Sequence, residues 1–184
     1  KQTLRAFFRE VVLTIIFAVV IFFLLQATVQ SFIVVGISMK PSLENGQRIL
    51  VSKATYYLHE PERGDILVFQ PPENEEDDYI KRVIALPGDT VEIKENRVYV
   101  NGSRLDEGYI KSAPSYKVPE MTVPENRYFV LGDNRNNSND SHNGWVVPRK
   151  NIIGKAWLSI WPPDTWGFVS ASSQGGQTAA ASSR

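Results

Sequence analysis

Residues 79–102 read YIKRVIALPGDTVEIKENRVYVNG, and the way this stretch breaks decides the fold class. Segments 79–86, 90–94 and 97–100 are rich in Val, Ile and Tyr and alternate with a period of two, the pattern of strands with one buried face. Gly and Pro separate the first two segments. Glu95-Asn96 joins the second and third as a hairpin, and Asn101-Gly102 is a further tight-turn signal.

Outward from this stretch the same grammar recurs. Residues 48–51, 65–69, 128–131 and 153–160 also read as strands, set apart by Gly, Pro and Asn. The expected fold is mainly β, a partly closed antiparallel barrel-like domain over residues 31–169. Residues 73–78 (ENEEDD) read as a solvated acidic loop, and 111–124 as a proline-containing connection with little order of its own. Residues 170–184 (SASSQGGQTAAASSR) carry too little apolar surface to fold and are expected to form a flexible tail.

Upstream of the strands, residues 11–25 (VVLTIIFAVVIFFLL) are almost wholly apolar, and a looser apolar stretch continues to Val35. A helix needs about 20 apolar residues to cross a bilayer, so 10–30 is expected to be a transmembrane helix. Such a run can also be a buried core helix or a secretory signal that is cut off. Against the signal, the run closes on Gln30-Ser31-Phe32-Ile33 and not on a small-x-small cleavage pattern. Lys1, Arg5 and Arg9 precede it. Basic flanks stay in the cytoplasm, which places residues 1–9 there and the β domain on the outer side of the cell membrane.

Composition narrows the chemistry. Among 184 residues, 20 Lys and Arg balance 20 Asp and Glu, so no net field gathers nucleic acid. Cysteine is absent, which removes disulfides, thiolate zinc sites and a Cys nucleophile. With only His59 and His142, a multi-histidine metal site is not expected. Covalent chemistry falls to Ser, Thr, Lys, Asp or Glu, and no cofactor is expected.

Ser38 lies in VVGISMKPSL, three residues before Pro41. The proline biases Lys40 away from helix, so the hydroxyl lies on an extended or turning backbone. A serine beside a proline is ordinarily a turn residue, and a serine nucleophile needs a base. One candidate is His142, which has Asp140 and Asp133 nearby in GDNRNNSNDSHNG, a Ser-His-Asp arrangement. The other is Lys81, whose amine would have to be neutral and hence buried. Alternation puts Tyr79, Lys81 and Val83 on one sheet face and Ile80, Arg82 and Ile84 on the other. Pattern alone does not say which face points inward.

At these residues the chain resembles the type I signal peptidases, membrane-anchored serine proteases, through four blocks in the family's order. They are SMKPSL at 38–43, RGDILVF at 63–69, DYIKRVIALPGDTVE at 78–92 and LGDNRNNSNDS at 131–141. The resemblance implies a Ser/Lys pair with Ser38 as nucleophile and Lys81 as base. It also implies Ser138 as the hydroxyl that orients the lysine, Asp140 as its support, and the Ser38 N–H in the oxyanion hole. The implied substrates are signal peptides of exported precursors, with small residues at the first and third positions before the cut. The matching pocket positions are Phe32, Val34, Met39, Leu43, Ile49, Val68, Tyr79 and Ile80. The peptide is expected to lie extended along an open strand edge, and the lipid bilayer is the other expected partner.

Two residues depart from the family's pattern. Gly36 stands where some members carry a second oxyanion hydroxyl, and His142 replaces an arginine, so a permanent charge beside Asp140 becomes a titrating one. Three other readings stay open on the residues alone. They are a membrane-anchored β adaptor that binds peptides without cutting, a relative of the self-cleaving repressors, and a Ser-His-Asp hydrolase.

Overall fold

The structure, a computed structural model, describes residues 2–73 and 76–169. The expected tail at 170–184 and part of the acidic loop lie outside the described residues. In chain order the elements are α1 (Gln2–Thr28), β1 (Val29–Ile33), β2 (Arg48–Ser52), α2 (Thr55–Leu58), β3 (Ile66–Phe69), β4 (Tyr79–Ala85) and β5 (Thr90–Lys94). They continue with β6 (Arg97–Val100), β7 (Ser103–Arg104), β8 (Val118–Thr122), β9 (Arg127–Leu131), β10 (Val147–Pro148), β11 (Ile152–Trp161) and β12 (Gly167–Phe168).

All strand pairing is antiparallel. The larger sheet runs β1-β2-β11-β3-β4-β9-β10 with β12 beside β11, and the smaller runs β7-β6-β5-β8. The larger pairing path ends on β1 and β10, so this sheet does not close on itself. Its bend comes from β11, which pairs with β3 through Lys155 and with β2 from Lys155 on, across several register shifts. Gly154 makes that hand-over possible: a Cβ there would meet the Ser52 carbonyl oxygen at 2.5 Å.

The hairpin signals take the expected form. Glu95 and Asn96 have φ of 49° and 60°, and Asn101 and Gly102 have 51° and 73°, the left-handed pairs of twist-matched two-residue turns. In β3 all four residues are buried, because Ile66 and Val68 face one apolar cluster and Leu67 and Phe69 another. A third cluster, built on Val91, Ile93, Val98 and Phe129, joins the small sheet to β9.

The expected helix at 10–30 ends sooner. Val29 and Gln30 already pair with Ser52 and Val51, since an edge of β2 is there to satisfy their backbone. Among the described residues, no helix is long and apolar enough to cross a membrane. The 111–124 connection is also more ordered than its prolines suggest. Val118–Thr122 pairs with β5 as an end strand of the small sheet, the kind of edge position where a proline such as Pro119 is tolerated.

Beside Lys81, Arg82 is 1% exposed and holds Asp133 with two bonds, Nε to Oδ1 at 2.9 Å and Nη2 to Oδ2 at 2.7 Å. Its Nη1 donates to the Gly64 carbonyl, and its guanidinium lies 4.1 Å from the Tyr109 ring centre. Replacing one member leaves a buried charge without its partner. Arg82→Met should lower unfolding stability by about 3–5 kcal/mol, and Arg82→Met with Asp133→Leu should recover most of the loss, as read from denaturant midpoints.

Candidate active site

The connection between β1 and β2, residues 34–47, carries Ser38. Two backbone bonds close it, Val34 N–H to the Gln47 carbonyl and Gly46 N–H to the Val34 carbonyl, each 2.8 Å. Met39 and Leu43 are fully buried and pin the turn to the sheet, leaving Ser38 half-buried between them and the exposed Ile37. This is the rigid, non-helical setting that Pro41 suggests.

A second segment grips the turn from the other side. The Asn134 N–H donates to the Ser38 carbonyl at 2.9 Å, and Asn134 Nδ2 donates to the Ile37 carbonyl at 3.1 Å. The approach is close enough to require glycine at 132. A Cβ there would lie 2.3 Å from Ser138 Oγ and 2.6 Å from the Ser38 carbonyl oxygen.

Strand β4 brings the amine. Lys81 is 4% exposed, and its Nζ donates to Ser38 Oγ at 2.9 Å and to the Ile80 carbonyl at 2.9 Å. The Tyr79 ring centre lies 5.1 Å from the same nitrogen. Burial pushes Lys81 down from 10.5 to about 8, against the opposing pull of Asp140 and Asp133. A neutral amine within hydrogen-bond reach of a hydroxyl can take its proton.

Asp140 is fully buried. Its Oδ2 accepts from the Gly132 N–H at 2.9 Å, and its Oδ1 accepts from the His142 N–H at 3.2 Å and faces His142 Nδ1 at 2.6 Å. Ser138 Oγ is buried with no hydrogen-bond partner, although Ser138 and Ser38 both border Gly132. Of the Ser-His-Asp alternative, His142 and Asp140 do meet, but His142 is not among the residues lining the cleft around Ser38, whose hydroxyl is met by Lys81, and Asp133 is held by Arg82.

That cleft measures about 550 Å³ and is walled on one side by residues 32–39 and on the other by residues 77–81. Of the expected pocket residues, Phe32, Val34, Met39, Tyr79 and Ile80 line it. Leu43, Ile49 and Val68 do not: they are 1% exposed or less and pack beneath it in the core. Among the described residues β1 is an outer strand of its sheet, and at Tyr79–Lys81 β4 has β3 as its one partner strand. The sequence reading missed Asn134 and Gly132, whose only signal is their place in the LGDN block.

The profile of the family described as "Signal peptidase, peptidase S26" matches residues 8–161, and the chain belongs to that family. The chain is 48% identical over 137 residues to a probable signal peptidase I-1 of Synechocystis sp., covering 71% of this chain and 70% of that protein. It is 45% identical over 137 residues to a probable signal peptidase I-2 of the same organism, where the match covers 72% of this chain but 63% of that relative's length. Signal peptidase I S of Bacillus subtilis is 36% identical over 174 residues, 88% of this chain and 91% of that protein.

The depressed Lys81 value has a consequence for stability. The unfolded chain keeps this proton up to ~10.4 while the folded chain releases it near 8, so between these limits the unfolded state binds more protons and stability rises with pH. Below 8 the penalty is complete. At pH 7 Lys81→Met should therefore be the more stable protein, by an amount on the order of 3 kcal/mol. In denaturant titrations this difference should shrink as pH approaches 10.5; a difference independent of pH would contradict the assignment.

Proposed function

We propose that the chain is a membrane-anchored serine endopeptidase that removes signal peptides from exported precursor proteins, with Ser38 as nucleophile and Lys81 as general base. The observation that carries this reading is the buried Lys81 amine 2.9 Å from Ser38 Oγ. Membership of the signal peptidase family supports the substrate class.

In this reading Ser38 Oγ attacks the scissile carbonyl while its proton passes to Lys81 Nζ. The tetrahedral intermediate collapses as Lys81 returns that proton to the leaving amine, which frees the mature chain and leaves the signal peptide acylated on Ser38. Water, deprotonated by the same amine, then releases it. The Ser38 N–H contributes to the oxyanion hole. Gly36 offers no hydroxyl for a second donor, and its own N–H is given to Asn45 Oδ1 at 2.8 Å. Ser138 and Asp140 support the lysine, Asp140 by its charge.

The substrate lies extended along the open edges of β1 and β4, pairing its main chain there. Apolar walls from Phe32, Val34, Met39, Tyr79 and Ile80 leave shallow room, which favours small side chains at the first and third positions before the cut. The expected anchor at 10–30, whose apolar run 11–25 lies within α1, holds the chain in the membrane with the basic N-terminal flank in the cytoplasm and the cleft on the outer side. The loop holding Ser38 begins soon after that anchor, so enzyme and membrane-held substrate meet at one surface.

Purified protein in detergent with a precursor bearing an Ala-x-Ala site tests the reaction. Ser38→Ala should show no turnover, and Lys81→Ala should lose about 10²–10⁴-fold in kcat/KM. The wild-type rate should climb as pH rises through about 8, where Lys81 becomes neutral. Cleavage by Ser38→Ala at the wild-type rate would remove the nucleophile assignment, and peptide binding with no cleavage by any form would favour an adaptor. The anchor is tested separately: the protein should stay with membranes washed in alkaline carbonate, and release into the wash would exclude a spanning helix.

A further inference from the structure

His142 occupies a built position that the proposed reaction leaves without a role. Its Nδ1 meets Asp140 Oδ1 at 2.6 Å, and its ring lies flat on Tyr116 with centroids 4.0 Å apart and planes 19° from parallel. The imidazole is thus held from two sides, by a carboxylate on its own turn and by an aromatic face from a distant loop. Tyr116 contributes its ring alone, since its hydroxyl is buried with no hydrogen-bond partner.

That loop is fastened to the site. Asn136 Oδ1 accepts from the Ser115 N–H at 2.8 Å and from Ser115 Oγ at 2.9 Å, while Asn136 Nδ2 donates to the Ala113 carbonyl at 3.0 Å. Asn136 lies in the 3-10 turn Arg135–Asn137, two residues beyond Asn134, which holds the Ser38 turn. One short segment therefore grips both Ser38 and the loop that clamps His142.

We propose that His142 is a positioning residue for the Ser38–Lys81 pair, held by the Tyr116 ring so that the charge on its imidazole governs how strongly Asp140 attracts the Lys81 amine. The inference rests on the reading of those two residues as the reacting pair. The charged surroundings leave this route open. Lys81 feels Asp140 and Asp133, and Asp133 is already matched by Arg82. Near Tyr116 stand Asp140, Arg135 and Glu107, and the last two pair with each other at 2.5 Å. Asp140 is the carboxylate whose pull a change at His142 can alter.

A protonated imidazole compensates Asp140, which weakens its hold on the ammonium and favours the neutral base. A neutral imidazole still donates one hydrogen bond but leaves the carboxylate charge in force. As the imidazole gains a proton on the acid side, this coupling offsets part of the loss of neutral Lys81. The acid side of the rate profile becomes shallower than a lone lysine would make it.

The test is kcat/KM from pH 5.5 to 10 on a fluorogenic peptide with an Ala-x-Ala site, with the full chain in detergent. His142→Gln keeps a neutral donor and should give a limb of unit slope, falling ~3- to 10-fold below wild type at pH 5.5 for a coupling of half to one pKa unit. His142→Arg supplies a permanent charge and should move the whole profile toward acid by a similar factor, also with unit slope. Tyr116→Ala should resemble His142→Gln, and Tyr116→Phe should match wild type because only the ring contributes. Near-UV circular dichroism on each variant separates misfolding from mispositioning, and His142→Gln carries the test if Tyr116→Ala does not fold. If His142→Gln and His142→Arg both retain the wild-type slope and midpoint, the inference is overturned. Turnover by Ser38→Ala would instead overturn the underlying dyad, so the two failures are distinct.

Discussion

Lys81 keeps an amine out of water 2.9 Å from the Ser38 hydroxyl, and the arrangement around it follows from the cost of that burial. Desolvation disfavours the ammonium, which is what brings the group toward neutrality, and the same desolvation weakens the fold at neutral pH. Apolar packing has to offset it. The larger sheet supplies that packing with clusters against both faces of β3, the strand that pairs with β4 at Lys81.

Lys81 and Arg82 are adjacent and both buried, yet their settings differ. Arg82 is met by a bidentate carboxylate, a carbonyl and an aromatic face, so its charge is kept. Lys81 is given a hydroxyl, a carbonyl and an aromatic ring, with its nearest carboxylates engaged elsewhere. Asp133 is committed to Arg82 and Asp140 to the Gly132 amide and His142. Had either carboxylate reached the amine directly, the attraction would have held it charged. The ion pair next door thus occupies a carboxylate that would otherwise compete for the amine.

Much of this was legible in the chain. Period-two alternation and the Glu95-Asn96 and Asn101-Gly102 turns identified the strands, because side-chain direction in a strand and left-handed backbone in a hairpin are local properties. Where sequence expectation differed from the structure, partners distant in sequence decided. Val29 and Gln30 left the helix for an edge of β2, and Val118–Thr122 became a strand because β5 had a free side. Leu43, Ile49 and Val68 left the pocket for the core beneath it, since a residue type does not state how deep it will lie.

The sequence alone determined the strand grammar, the balance of charge and the short set of residues able to do covalent chemistry. It also carried the four ordered blocks by which the chain resembles its family. Tertiary structure decided which face of β4 is dry, that Asn134 rather than a neighbouring aspartate holds the Ser38 turn, and that Tyr116 stacks on His142 from a loop 26 positions away. The reason is physical: alternation and turn chemistry act within a few residues, whereas burial and the encounter of an amine with a hydroxyl 43 positions apart exist only once the sheet has brought them together.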